Sequence, residues 1–145
     1  MGKFTSPLIT EQIGHELWKV SKAFVFRSST GRDVVIPIGF ETDLASIPAL
    51  AQTVVSKVGY WSQAAVVHDL LYYRHRTGLD ATVTRLQADD ILLEGCKLKA
   101  DEYSVPNLER RDWLIYGAVR VGGLSSWETP EERIERQSVD ESILE

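Results

Sequence analysis

Short apolar segments separated by polar clusters dominate the first forty residues of the chain. Residues 17–20, 24–26 and 34–38 are rich in aromatic and β-branched side chains, which is typical of strands. The polar residues 28–31 end in a glycine and favour a turn between the second and the third segment. We therefore expect an antiparallel β-meander, which becomes stable only once one of its faces packs against another element.

A helical spacing of apolar residues replaces this pattern after Pro48. It predicts four helices, over residues 49–58, 63–75, 83–100 and 108–121, with glycine or proline close to several of their ends. A further, polar helix follows at the C-terminus. The predicted fold class is α+β, with an N-terminal antiparallel β-meander packed on about four α-helices and a polar C-terminal helix.

Two of the predicted helices have distinctive faces. In the segment 108–121 we expect the apolar residues to form the buried side, namely Trp113, Leu114, Tyr116, Ala118 and Val121. The C-terminal helix is predicted to begin at Thr129 and Pro130, because threonine caps helices and proline suits their first position. This helix is polar nearly all round, so it needs a partner to be stable.

The charge of the chain is concentrated at its C-terminal end. Residues 128–145 hold seven acids and two arginines, so the preceding residues carry no net charge. We predict a single α+β domain over residues 1–127 and an acidic C-terminal helix or tail over residues 128–145. The absence of a basic excess argues against nucleic-acid binding, whereas an acidic end fits a protein partner.

Composition excludes several other classes of protein. The single cysteine, Cys96, cannot form an intrachain disulfide, and a thiolate zinc site would need more cysteines. No apolar run approaches the roughly 20 residues of a membrane-spanning helix, so we expect no membrane insertion.

An imidazole next to a carboxylate interrupts the apolar segment around residue 68. His68 is followed by Asp69, and Tyr72 and Tyr73 lie one helical turn further on. Burying an imidazole or a carboxylate is costly unless each is paired. Neighbours on a helix diverge by about 100°, yet they can still flank one ion, and both groups are ligands that Zn, Mn or Fe accept.

Two further acids are candidates for the same site. Asp89 lies next to apolar residues 91–93 in the third predicted helix, so we expect Asp89 rather than Asp90 to face inward. Asp43 stands where a strand is predicted to end and a helix to begin. An aspartate at such a junction also satisfies backbone donors, which is a structural role.

Two interpretations of these residues are open. In the first, Asp43, His68, Asp69 and Asp89 hold one divalent metal ion, whose bound water is the nucleophile at neutral pH, and His68 and Asp69 are catalytic. In the second, the same side chains form a hydrogen-bond network in which His68 donates to Asp43 or Asp89 and Tyr72 donates to another carboxylate. That network would join the helices to the meander.

Two motifs stand out when the chain is read as a whole: TDLASIP at residues 42–48 and HDLLY at residues 68–72. Further matching positions lie on either side of them, namely Gly39, Phe40, Tyr60, Arg85, Asp89, Tyr116, Ala118, Arg120 and Gly122. Over about residues 18–127 this order resembles a family of small proteins of unknown function from tailed phages and prophages. The resemblance implies a recurring His/Asp set, production in the cytoplasm of a bacterial host, and a role near tail or lysis functions.

The pair His68-Asp69 is also similar to the doublet of metal-dependent HD-type phosphohydrolases. That pattern requires a further upstream histidine on a helix, whereas here only His15 precedes, in a segment without helical periodicity. Phosphohydrolase activity is therefore not carried over. For that activity, Asp43 would have to take the place of the missing upstream histidine.

Two functions follow as hypotheses. The first is a virion-associated accessory protein of the tail or baseplate, which docks on larger phage structural proteins and is incorporated in the virion tail. The alternative is a small metal-dependent hydrolase of peptidoglycan or of a phosphoester, with His68 and Asp69 at its centre.

Overall fold

Six short strands precede five helices in the part of the chain that the computed structural model describes, residues 2–43, 59–105 and 109–144. The strands are β1 Lys3–Phe4, β2 Thr10–Gly14, β3 Leu17–Val20, β4 Phe24–Arg27, β5 Asp33–Ile36 and β6 Glu41–Thr42. The helices are α1 Ser62–Arg76, α2 Arg85–Glu102, α3 Glu109–Gly122, α4 Leu124–Trp127 and α5 Pro130–Leu144. This order confirms the predicted α+β class. The helix predicted over residues 49–58 lies outside the described residues.

The strands form two antiparallel sheets of three strands, ordered β1-β4-β5 and β2-β3-β6. The hairpin of β4 and β5 was expected, and its register pairs Phe24 with Ile36. The first predicted strand, residues 17–20, is β3 and lies in the other sheet, where β6 pairs with it and places Thr42 opposite Trp18. This pairing brings the end of β6, and with it Asp43, close to the helices.

Helix α1 is the centre of the packing. Alternate residues of β4 and β5 point to one face of their sheet, where Phe26 and Ile36 are fully buried. They join a core with Val66 and Val67 of α1, whose side chains are also fully buried. A helix that is buried on most sides is apolar on most sides. His68 is an exception, and a buried imidazole requires a hydrogen-bond partner.

Helix α3 is rotated relative to the prediction. Trp113, Leu114 and Val121 were expected to be buried, but all three are exposed. The buried side instead contains Ile115, Val119 and a polar residue, Asp112, which accepts a hydrogen bond from the hydroxyl of Tyr60 at 2.7 Å. The prediction placed only apolar residues on the buried side of this helix. It chose the wrong side because one of the core positions is occupied by this paired aspartate.

Helix α5 begins where it was predicted to begin. Thr129 and Glu132 form a reciprocal capping pair, in which each side chain accepts a hydrogen bond from the backbone N–H of the other. Residues 130–143 are exposed. The domain boundary at residue 127 stays a prediction. Within the described ranges, no helix combines the length and apolarity needed to cross a membrane.

Candidate functional site

A fully buried carboxylate joins three helices. Asp89 of α2 accepts a hydrogen bond from the hydroxyl of Tyr72 at Oδ1 (2.6 Å), and the same oxygen lies 2.7 Å from Nε2 of His68. Its other oxygen, Oδ2, accepts a hydrogen bond from Nη1 of Arg120 on α3 (2.8 Å). The inward orientation predicted for Asp89 is confirmed, and His68 meets Asp89 as the network interpretation expected.

Charge balance explains why this carboxylate remains ionised. Burial by itself raises the pKa of Asp89, but the hydrogen bonds from His68, Tyr72 and Arg120 outweigh it and hold the pKa below its ordinary value. An ionised carboxylate only accepts hydrogen bonds, so Nε2 of His68 carries the hydrogen and donates it. The other partner, Tyr72, has a raised pKa, first because it is buried and then because it donates to this anion. It therefore remains a neutral donor.

Arg120 is the residue of this network that was not predicted as a site residue. Its side chain is about one third exposed and forms the only ion pair with an arginine that Asp89 makes among the described residues. Arg85 holds the same end of α3, since its Nη2 donates to the backbone oxygens of Val119 (2.9 Å) and Arg120 (2.6 Å). A buried acid requires a counter-charge, but which residue supplies it depends on how α3 packs against α2 and does not follow from the sequence pattern.

Asp69 lies in a separate environment, although it follows His68 in the chain. Its carboxylate is half-buried and accepts a hydrogen bond from the hydroxyl of Thr42 on β6. Burial raises the pKa of Asp69 to about 7, with a further contribution from the neighbouring Asp43, while Thr42 and Arg76 act in the opposite direction. Asp69 therefore exchanges its proton near neutral pH.

The two clusters meet at the wall of an open cleft of about 1150 Å³. Three of the predicted site residues, Asp43, His68 and Asp69, line it, together with Thr42 and Tyr72. The loop before β6, the C-terminal end of α3 and helix α4 complete the wall. The fourth predicted residue, Asp89, holds His68 from behind, because it is fully buried and does not line the cleft.

The donor set does not fit an ion held by all four residues. Both oxygens of Asp89 already accept hydrogen bonds from His68, Tyr72 and Arg120. Over residues 2–43, 59–105 and 109–144, no group of three or more His, Cys, Asp and Glu side chains is arranged to hold a metal. The contact of His68 with Asp89 agrees with the network interpretation, but Tyr72 donates to the same carboxylate and not to another one. The network joins three helices, and the link from helix α1 to strand β6 is the separate hydrogen bond from Thr42 to Asp69. The predicted metal ligands stay a prediction.

The fold and the site define an α+β protein in which a buried His–Asp–Arg network supports the wall of a cleft. The chain belongs to the family of proteins of unknown function called DUF1353, whose sequence pattern matches residues 18–119. No curated protein matches it. No solved structure matches it either.

The network makes a prediction about two tyrosines that donate to aspartates. Tyr72→Phe removes a donor from a buried anion, so we expect the free energy of unfolding to fall by about 1–3 kcal/mol. Tyr116→Phe is the matched control, because its hydroxyl donates to the exposed Asp90 at 3.0 Å. The control should change stability by less than about 0.5 kcal/mol. Urea denaturation measures both, and equal effects would contradict the network.

The environment of Asp69 predicts a pH dependence of stability. Its folded-state pKa of about 7 lies above its ordinary value of 3.8. The folded state therefore binds this proton more tightly, and the resulting stability is complete below about pH 4 and is lost as the pH rises through 7. Relative to the wild type, Asp69→Asn should gain on the order of 4 kcal/mol between pH 4 and pH 8.

The measurement for Asp69 is a series of denaturation curves from pH 4 to pH 8. Asp90→Asn, which removes an exposed carboxylate from α2, serves as the control and should run parallel to the wild type. If the Asp69→Asn profile also runs parallel to the wild type, the assigned environment of Asp69 is wrong.

Proposed function

We propose that this protein is a virion-associated accessory protein of a tailed phage, which docks on larger tail or baseplate proteins through helix α5. The observation that carries the proposal is the exposure of this helix over residues 130–143. A polar helix of this length is marginal in water unless a partner covers it.

The beginning of α5 is fixed to the body of the protein. The imidazole of His75 at the end of α1 stacks on the indole of Trp127, with ring centroids 3.8 Å apart and planes 8° from parallel. Nε2 of His75 also lies 3.3 Å from a carboxylate oxygen of Glu132. Arg136 donates to the carboxylate of Glu128 at 2.7 Å. These contacts lie in the first two turns, so they set the direction of the helix and leave the rest of it accessible.

The outer face of α5 is acidic. Arg133 donates to the backbone oxygen of Ser125, and Arg136 is paired with Glu128, so both cations of the helix are engaged on its inner side. The acids Glu131, Glu135 and Glu141 are exposed and have no cationic partner among the described residues. Opposite charge steers and orients protein association, so a basic surface on the larger phage protein is the complement of this face.

The phage setting of the proposal rests on the resemblance of the motifs at residues 42–48 and 68–72. Under this proposal, the chain is made in the cytoplasm of the bacterial host and is then incorporated in the tail. The partners are phage structural proteins, and neither nucleic acid nor membrane insertion is part of the proposal.

Binding of the chain to phage particles tests this function. We expect the wild-type protein to sediment with particles of the phage that encodes it. Replacing Glu131, Glu135 and Glu141 by glutamine should reduce the bound fraction at least about tenfold, because the steering charge is lost. The matched control makes the same change of charge at Glu11, Asp90 and Asp101, three exposed acids outside α5, and should bind normally.

Two results of the sedimentation experiment would contradict the proposal. In the first, the wild-type protein is found only in the free fraction. In the second, the triple variant in α5 and the control variant bind equally well, so that the helix is not the docking element.

A second candidate function is a small metal-dependent hydrolase of peptidoglycan or of a phosphoester, with His68 and Asp69 at its centre. Both residues line the cleft, Asp89 orients the imidazole, and the carboxyl of Asp69 titrates near neutral pH. A group with such a pKa suits general acid–base catalysis. The described residues do not form a ligand set for the ion. The support for this candidate is therefore the proton chemistry of Asp69 and not a metal site.

Elemental analysis of the purified protein, with assays on peptidoglycan and on a chromogenic phosphodiester, tests the second candidate. We expect bound metal, hydrolysis of one substrate, and a loss of about 100-fold or more in Asp69→Asn. Asp90→Asn should retain the activity. A metal-free protein that hydrolyses neither substrate after addition of Zn²⁺ or Mn²⁺ would contradict it, and so would an active Asp69→Asn variant.

A further inference from the structure

Two arginines from different helices meet at one edge of the cleft. Arg76, the last residue of α1, donates from Nη1 to the backbone oxygen of Ser126 at 3.2 Å, and Arg133 of α5 donates from Nη2 to that of Ser125. Because the two acceptors are consecutive residues of α4, the guanidinium groups are held next to each other. Both arginines and both serines line the cleft, and these four residues are called the α4 edge below.

The two cations of the α4 edge are only partly compensated. No acid of the described chain forms an ion pair with Arg76. Nε of Arg133 lies 4.0 Å from Oε2 of Glu128, but the same carboxylate is held more closely by Arg136, at 2.7 Å. A guanidinium has five N–H donors, and each of the two donates one of them to α4. The edge therefore carries positive charge and has further donors to offer.

The positions of the arginines in their helices account for only one of the two charges. Arg76 ends α1, where a cation interacts favourably with the negative end of the helix dipole. Arg133 follows the first turn of α5, close to the positive end of that dipole, where a cation is unfavourable. An anion between the arginines would offset this charge and would also be stabilised by the beginning of α5.

One face of α1 leads from the α4 edge to the acids of the cleft. Asp69, Tyr73 and Arg76 all line the cleft, and their spacing of four and three residues places them in one row. Arg76 is seven residues beyond Asp69, which is about 10 Å along the helix axis. Between them lies the ring of Tyr73, which is 40% exposed and 6.1 Å from the ring of Phe40. An anionic group at Arg76 is thus separated from the acids by an aromatic surface.

We propose that the α4 edge binds the anionic group of a small molecule, a phosphate or a carboxylate, between Arg76 and Arg133. A guanidinium suits these groups because its planar fork can donate two parallel hydrogen bonds to two oxygens. The rest of the molecule lies on the aromatic surface of Tyr73 and Phe40. The cleft of about 1150 Å³ has room for a ligand of this kind.

Binding at the α4 edge goes beyond both functions proposed above. Docking on the phage particle uses the acidic outer face of α5, whereas Arg133 is engaged on its inner side. The hydrolase centres on His68 and Asp69, and binding of an anion requires neither a metal nor turnover. Failure of the sedimentation experiment or of the hydrolysis assays therefore leaves this proposal standing, and its own failure leaves them standing.

Calorimetric titration of the full chain tests the site with two pairs of probes. Phenyl phosphate and benzoate carry an anionic group on a ring, and phenol and benzamide are their uncharged counterparts. We expect at least one of the anions to bind with a dissociation constant on the order of 1 mM or below. Its uncharged counterpart should bind at least about tenfold more weakly, because it lacks the charge-assisted hydrogen bonds. The anion that binds more tightly identifies the ligand as a phosphate or a carboxylate.

Arginine variants locate the groups that hold the anion. Arg76→Gln and Arg133→Gln should each weaken binding by at least about tenfold. Arg74→Gln is the matched control, because Arg74 also donates from the last turn of α1 to a backbone oxygen, that of Val35 at 3.0 Å, and does not line the cleft. The control should bind the anion as the wild type does. Urea denaturation checks that all three variants are folded at the temperature of the titration.

Nuclear magnetic resonance of the wild-type protein adds a measurement that needs no substitution. We expect the anion to shift the backbone amide signals of Tyr73, Ser125 and Ser126. The signals of Thr30 and Gly31 should stay in place, although an arginine also lines the small polar pocket that contains them.

Four results would overturn the proposal. Neither anion binds, or the uncharged counterparts bind as tightly as the anions. Both variants at the α4 edge bind the anion as well as Arg74→Gln does. The amide shifts lie outside the cleft.

Discussion

The buried carboxylate of Asp89 is the constraint on which the arrangement of the helices depends. An anion without solvent is tolerated only if donors surround it and a cation balances it. Here the donors come from two other helices, His68 and Tyr72 from α1 and Arg120 from α3. Apolar packing alone would allow α3 to rotate or slide on its neighbours. The ion pair and the three directed hydrogen bonds select one position, and thereby define the shape of the cleft at the end of α3.

The two aspartates next to His68 have opposite properties. Asp89, behind the imidazole, has a lowered pKa, while Asp69, which accepts a hydrogen bond from Thr42 at the wall of the cleft, has a raised pKa. Sites in which environments push titratable groups apart are suited to proton transfer. Structural ion-pair networks also shift pKa values. The opposite pKa shifts are therefore weaker support than a ligand set would be, and the hydrolase is the second candidate function.

Local patterns predicted most of the fold, and non-local pairing accounts for what they missed. The α+β class, the turn between β4 and β5, and the start of α5 follow from neighbouring residues, and all are present. The division into two sheets depends on the pairing of β6 with β3, which the separate strand patterns do not encode. The rotation of α3 depends on the pair Asp112 and Tyr60, which are distant in the chain. A prediction based on the spacing of apolar residues does not identify a polar residue that is buried together with its partner.

The candidate site shows the same division between local and non-local information. His68, Asp69 and the inward orientation of Asp89 could be inferred from polar residues within apolar segments, whereas Arg120 could not, since its role exists only in the packed structure. The hydrogen bonds that Asp89 already accepts limit the part that this carboxylate can take in chemistry at the cleft. Both of its oxygens are occupied, so any reacting group must be provided by the residues in front of it. The interior carboxylate orients His68, and among the described residues Asp69 and its neighbours on the wall are placed to exchange protons with a bound molecule.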